Sequence, residues 1–262
     1  MTNGQNYYDA IKSRDIVTLV KRLLQNAGYF MRDSDGKIDA ERRKMWDTPW
    51  HHVRHHAALD CNLWHRVMFD AVSMQLPESR RFVPSPCQSC YKVVVRPGTI
   101  KQLFALLDLQ KQLGKPSKCG IETRPTVHGL YGGYFYNIGL DVGVDCYKTV
   151  RAAVDAADFL GPDVPVFLKR ACTEYEMECG PSNKWEITDD QLQIEALIEQ
   201  NFVKDDVLRE QSEAAILYVH RKWIEFAYMN GDPTYSEFSG GEPLYPPYIT
   251  YNHLAEKDGG QC

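Results

Sequence analysis

Tyr91-Lys92-Val93-Val94-Val95-Arg96-Pro97-Gly98-Thr99-Ile100-Lys101-Gln102 is the stretch on which the fold turns. A short β-branched run stops at Pro97-Gly98, and Thr99-Ile100-Lys101-Gln102 then spells a capping box. Leu103, Leu106, Leu107 and Leu113 carry a helix on to Gly114, a residue suited to ending it. The reading is strand, turn, helix.

The same alternation repeats downstream. One run spans Cys119 to Thr123 and ends at Arg124-Pro125. Another spans Tyr134 to Leu140, ends at Asp141 and precedes a helix from about Asp145 to Ala157. A further run spans Val164 to Leu168 and ends at Lys169-Arg170. Strands alternating with helices of this length predict right-handed βαβ units, hence an α/β protein with a parallel, partial-barrel-like sheet. Upstream, Ile16, Val17, Leu19, Val20, Leu23 and Leu24 recur at helical spacing, and a second helical pattern runs from Pro49 to Val72. Pro77, Pro84 and Pro86 break the chain ahead of the core. Thr188-x-x-Gln191 caps a later helix, and another runs from about Leu208 to Met229. The expected division is a helical N-terminal region at 1–80 and an α/β core with C-terminal helices at 81–230. An irregular tail at 231–262, rich in Pro, Gly and Tyr, is suited to contact with a protein partner.

Bulk properties narrow the function. With 262 residues and 44% hydrophobic content, the chain can bury a substantial core. A net charge of -5 argues against a nucleic-acid backbone as the main partner. No long uncharged apolar run suggests a membrane helix, and the polar start Met1 to Asn6 lacks the apolar centre of a signal peptide. The expectation is a cytoplasmic protein with reduced cysteines.

Cys87-x-x-Cys90 is the sharpest chemical signal, followed by Cys119, Cys172 and Cys179. In a reducing compartment this spacing favours a metal or a redox dithiol over a disulfide framework. Thiolates select zinc or iron–sulfur clusters, and both usually need three or four ligands. Cys119 is favoured as a further ligand by its place before a strand, and Cys172 with Cys179 by their pairing; Cys146 falls in a helix and reads as core. A four-iron, four-sulfur cluster is preferred to zinc, because an α/β core needs no zinc staple. The competing reading buries all these cysteines as small hydrophobes.

Strand ends carry a second signal. Arg96, Arg124 and Arg170 each follow a strand, Asp141 follows the remaining one, and Glu122 lies beside Arg124. In a parallel sheet these residues share the carboxyl edge, where ligands bind. Three guanidinium groups there suit an anionic small molecule held through carboxylate or phosphate. The bland alternative leaves each arginine facing solvent or a helix carboxylate. The run His51-His52-Val53-Arg54-His55-His56 has the i, i+4 spacing of a helical metal site, although the tryptophans around it favour packing. Tyr131-Gly132-Gly133-Tyr134 offers a turn for a lid over a site. Neither a Walker-type loop nor a G-x-S-x-G elbow occurs.

Ile121-Glu122-Thr123-Arg124-Pro125 resembles a strand of some radical S-adenosylmethionine enzymes, and Asn137 to Gly143 resembles a strand-to-helix transition of their barrel. Gly240-Gly241-Glu242-Pro243 matches in letters the motif with which that family holds the methionine amine. The family spaces its cluster cysteines three and then two apart, whereas this chain has only the two-residue spacing. Over roughly residues 87–175 the resemblance implies a partial barrel with a four-iron cluster, and S-adenosylmethionine as a cofactor.

Together these readings favour an iron–sulfur oxidoreductase acting on an anionic small molecule. Redox or radical chemistry, served by an electron-donor protein, would do the work, or else Lewis-acid action of an open iron. Two rivals stand beside it: a non-catalytic zinc-binding interaction protein, and a thiol–disulfide protein using Cys87 and Cys90.

Overall fold

Thr99 and Gly114 fix one helix. Thr99 accepts a hydrogen bond from the Gln102 backbone N–H, Gln102 accepts one from the Gly98 N–H, and Gly114 closes the helix at φ 59°. The computed structural model describes residues 15–26, 29–34, 37–42, 49–54, 65–73, 81–201, 211–245 and 248–254. In chain order the elements are α1 (Ile16–Asn26), β1 (Tyr29–Ser34), β2 (Lys37–Arg42), β3 (Trp50–His52), α2 (Arg66–Ser73) and α3 (Ser85–Gln88). Then come β4 (Cys90–Val95), α4 (Ile100–Leu113), β5 (Ser117–Ile121), β6 (Tyr131–Ile138), α5 (Leu140–Ala156) and β7 (Val166–Arg170). Helices α6 (Thr173–Cys179), α7 (Asp189–Glu199) and α8 (Glu213–Met229) follow, with a 3-10 segment at Pro233–Phe238.

The main sheet is antiparallel throughout, in the order β3-β5-β6-β4-β7. This overturns the expected parallel, barrel-like sheet. Helix α4 does connect two strands of the same direction, β4 and β5, and α5 likewise connects β6 and β7. Each pair is split by a strand of the other unit: β6 lies between β4 and β5, and β4 lies between β6 and β7. That is the split β-α-β, or ferredoxin-like, order with β3 added at one edge. The partial barrel implied by the radical S-adenosylmethionine resemblance is therefore not the architecture.

The first 80 residues are not simply helical. Strands β1 and β2 pair as a hairpin with Ser34 opposite Lys37, and β3 joins the main sheet by pairing with β5. His51 and His52 thus lie on a strand rather than a helix, while His55 and His56 fall outside the described residues. Gly132 and Gly133 are not a lid but part of β6. A Cβ on Gly132 would come within 2.5 Å of Arg96 Nη1, and one on Gly133 would collide with Leu106. Both contacts are with side-chain ends, so a larger residue at either position would require the Arg96 or Leu106 side chain to shift.

One face of the sheet is dry. Val93, Val95, Cys119, Ile121, Tyr131 and Phe135 pack there against α4, α5 and α8 in one core with Trp223. The start of the C-terminal tail is tied to this side by Asp232, whose carboxylate accepts from the Ile100 and Thr234 backbone N–H groups and from the Tyr131 hydroxyl. Among the described residues no helix is long and apolar enough to cross a membrane.

Candidate functional site

Residues alternate across a strand, so the partners of that core point to the other face. There Lys92, Lys118, Glu122, Tyr134 and Tyr136 line a cavity of about 400 Å³ with Trp50 of β3. Its outer wall comes from Arg66 of α2, Cys87 of α3 and the segment Ala171 to Glu178, which turns back over the sheet. A smaller apolar cluster supports that wall: Phe69, Val83, Cys87, Ala171 and Tyr175 are buried together, with Cys172 and Cys179 packed against them. Glu195 of α7 anchors α3 by accepting hydrogen bonds from the Ser85 N–H and hydroxyl and from Gln191.

The antiparallel order sorts the strand-end residues into two groups. Strands β4 and β5 end at the same edge, so Arg96, Glu122 and Arg124 meet. Glu122, its side chain fully buried, takes Arg124 at 2.6 Å and the Tyr134 hydroxyl at 2.8 Å, with Arg96 at 3.7 Å. Arg124 also donates to Glu174 at 3.0 Å. Burial disfavours the Glu122 charge, but the Arg124 and Tyr134 hydrogen bonds outweigh it and hold the carboxyl below its ordinary pKa. Arg170 and Asp141 belong to the opposite edge, because β7 and β6 run the other way. Arg170 donates to the carbonyls of Gln88 and Ser182 and stands over Trp185, a structural clamp. Asp141 is exposed in the first turn of α5.

The cysteines divide likewise. Cys119 and Cys146 are buried in the dry core, where burial raises both thiol pKa values. Cys87, Cys90 and Cys172 line the cavity, and Cys179 packs behind its wall with its thiol pushed up to about 11 by burial and Glu178. Among the described residues no three of His, Cys, Asp and Glu stand where one metal ion would bind them all. Cys87 Sγ instead faces the Tyr175 hydroxyl at 3.9 Å, and Cys172 Sγ lies 3.1 Å from Lys92 Nζ.

Lys92 is the residue that motif reasoning passed over. It is only 6% exposed, at the centre of the cavity floor. Burial disfavours its charge, but the Cys172 and Cys90 sulfurs more than offset that and keep its pKa above the ordinary lysine value. The available signal was a lysine inside the apolar run Tyr91 to Val95. Comparison with family models, curated proteins and solved structures finds no match for the chain.

Proposed function

We propose that this cavity is the active site of an enzyme acting on a small molecule that carries a carboxylate or phosphate. The observation that carries the reading is Lys92. A buried ammonium is costly unless paired, and it holds three N–H donors. Among the described residues it makes one hydrogen bond, to the sulfur of Cys172; the Tyr134 ring stands 5.9 Å away, and Cys90 and Glu174 also act on its charge. Two donors are left over at the cavity floor, the arrangement that an anionic oxygen would complete. Lys118, Arg124 and Arg66 surround the same space, set against Glu122, Glu174 and Glu178. Trp50, Tyr134 and Tyr136 give the walls the aromatic character usual in small-molecule sites.

Calorimetric titration with inorganic phosphate and with citrate tests this. Lys92→Met and Arg124→Ala should each weaken binding by roughly 1.5–3 kcal/mol, or about ten- to a hundredfold. Arg170→Ala, on the other edge, should leave it unchanged. Equal affinities in all four proteins would overturn the reading. Stoichiometric iron with sulfide, or zinc, in anaerobically purified protein and lost in Cys87→Ala, would favour a metal-centred function at the same thiols instead.

A further inference from the structure

Cys172 should not face Lys92 at all by strand alternation. Arg170 pairs with Tyr91 on the dry side, and the Ala171 N–H continues the ladder to the Cys90 carbonyl. The next residue would return to the dry side. Ala171, however, sits at φ 50°, in the left-handed region that non-glycine residues rarely adopt. This residue reverses the alternation and delivers the Cys172 sulfur to the cavity, 3.1 Å from Lys92 Nζ. Strain of this kind clusters at functional sites. Two residues on, Glu174 lines the same cavity, and its buried Oε2 has no hydrogen-bond partner among the described residues.

We propose that Cys172 is a nucleophile, its sulfur held 3.1 Å from Lys92 Nζ in the cavity and placed to attack an electrophilic carbon adjacent to the anionic group of the bound substrate, displacing the leaving group on that carbon. The inference rests on the anion-binding reading of the cavity for its substrate class, not for its nucleophile. A thiolate, not a thiol, is the attacking species, and a neighbouring ammonium favours it. Lys92 uses one donor on the sulfur and turns the other two to the substrate anion, so nucleophile and electrophile meet across one cation. Glu174 Oε2 receives a donor from the substrate. Cys119 and Cys146, on the dry face, take no part.

Iodoacetate mimics such a substrate, with a carboxylate next to an electrophilic carbon. In the reaction the thiolate lone pair forms the C–S bond, the C–I bond breaks, and iodide leaves with the bonding pair while Lys92 keeps its proton. The full-length protein is labelled at pH 7 and each cysteine followed by peptide mass spectrometry. Cys172 should react at least tenfold faster in the folded protein than in urea, and inorganic phosphate should slow it. Lys92→Met should reduce the rate at least tenfold, and Lys92→Arg by less. Labelling of Cys172 no faster in folded than in unfolded wild type overturns the proposal, a comparison that holds even if the Lys92 variants fail to fold. So does an unchanged rate in a folded Lys92→Met protein. If neutral iodoacetamide labels Cys172 rapidly and in a Lys92-dependent way, while iodoacetate shows no preference and phosphate gives no protection, the nucleophile stands and the anion site falls.

Discussion

The two faces of one sheet differ more than any two elements of this molecule. On β4, Val93 and Val95 enter a core that excludes water, while Lys92, just before them, floors a charged cavity. On β6, Phe135 does the first job and Tyr134 and Tyr136 the second. On β5 and its end, Cys119 and Ile121 face helices, and Lys118 and Glu122 face the site. The dry face is built mainly from apolar groups that need only contact, and the Tyr131 hydroxyl among them is paired with Asp232. The cavity face is built from groups that must be paired, and where pairing is incomplete, as at Lys92 and Glu174 Oε2, there is room for a ligand to complete it.

The contrast can be broken from either side. The largest effect is expected on the dry face: Phe135→Ala should cost about 3–5 kcal/mol in urea unfolding, because it empties the centre of the core. A loss under about 1 kcal/mol would mean that this core is not the main source of stability. On the other face, Glu122→Ala should cost about 3 kcal/mol, since it leaves Arg96 and Arg124 without their shared carboxylate. Its carboxyl titrates below the ordinary value when folded, so this stabilisation is present above the unfolded pKa and disappears as pH falls through the folded one. Measured from neutral pH downward, the acid limb of the stability curve should flatten in the variant.

A smaller effect sits at the sheet edge. His51 of β3 shares a 2.9 Å hydrogen bond with His220 of α8, beside Trp223 and Phe104, and burial, with His220 and Lys111 adding to it, lowers its pKa to about 4. The native state therefore resists the proton that the unfolded chain accepts below about 6.5. Stability should be unaffected above that pH and fall by about 2 kcal/mol between pH 6.5 and 4. His51→Phe should remove part of that slope, and an identical slope would refute the assignment. Least of all, Cys119→Ala should cost only about 1 kcal/mol and leave ligand binding and thiol labelling unchanged. Any loss of binding would put Cys119 in the site after all.

How much of this could be read beforehand depended on range. The caps at Thr99, Gly114 and Thr188 are local, and the helices they bound fall where spacing put them. Strand direction is not local. The sequence Tyr91 to Arg170 reads equally well as consecutive βαβ units or as split ones, and the distinguishing clue was the helix-free connection from Glu122 to Leu130. Direction then decided the site: Arg96, Glu122 and Arg124 meet, whereas Arg170 and Asp141 do not. Cys172 was beyond reach, since its position hangs on the backbone angle of Ala171.

The splitting of each β-α-β unit by the other also bears on how the chain can be divided. A cut anywhere in residues 123–129 would yield two pieces, each with a vacant slot at its centre that only a strand of the other fills. Neither piece could close its own ladder. The halves are clasped like folded hands, and they must form and melt as one cooperative unit. A nicked chain would then keep its cavity for as long as the two pieces stayed interleaved.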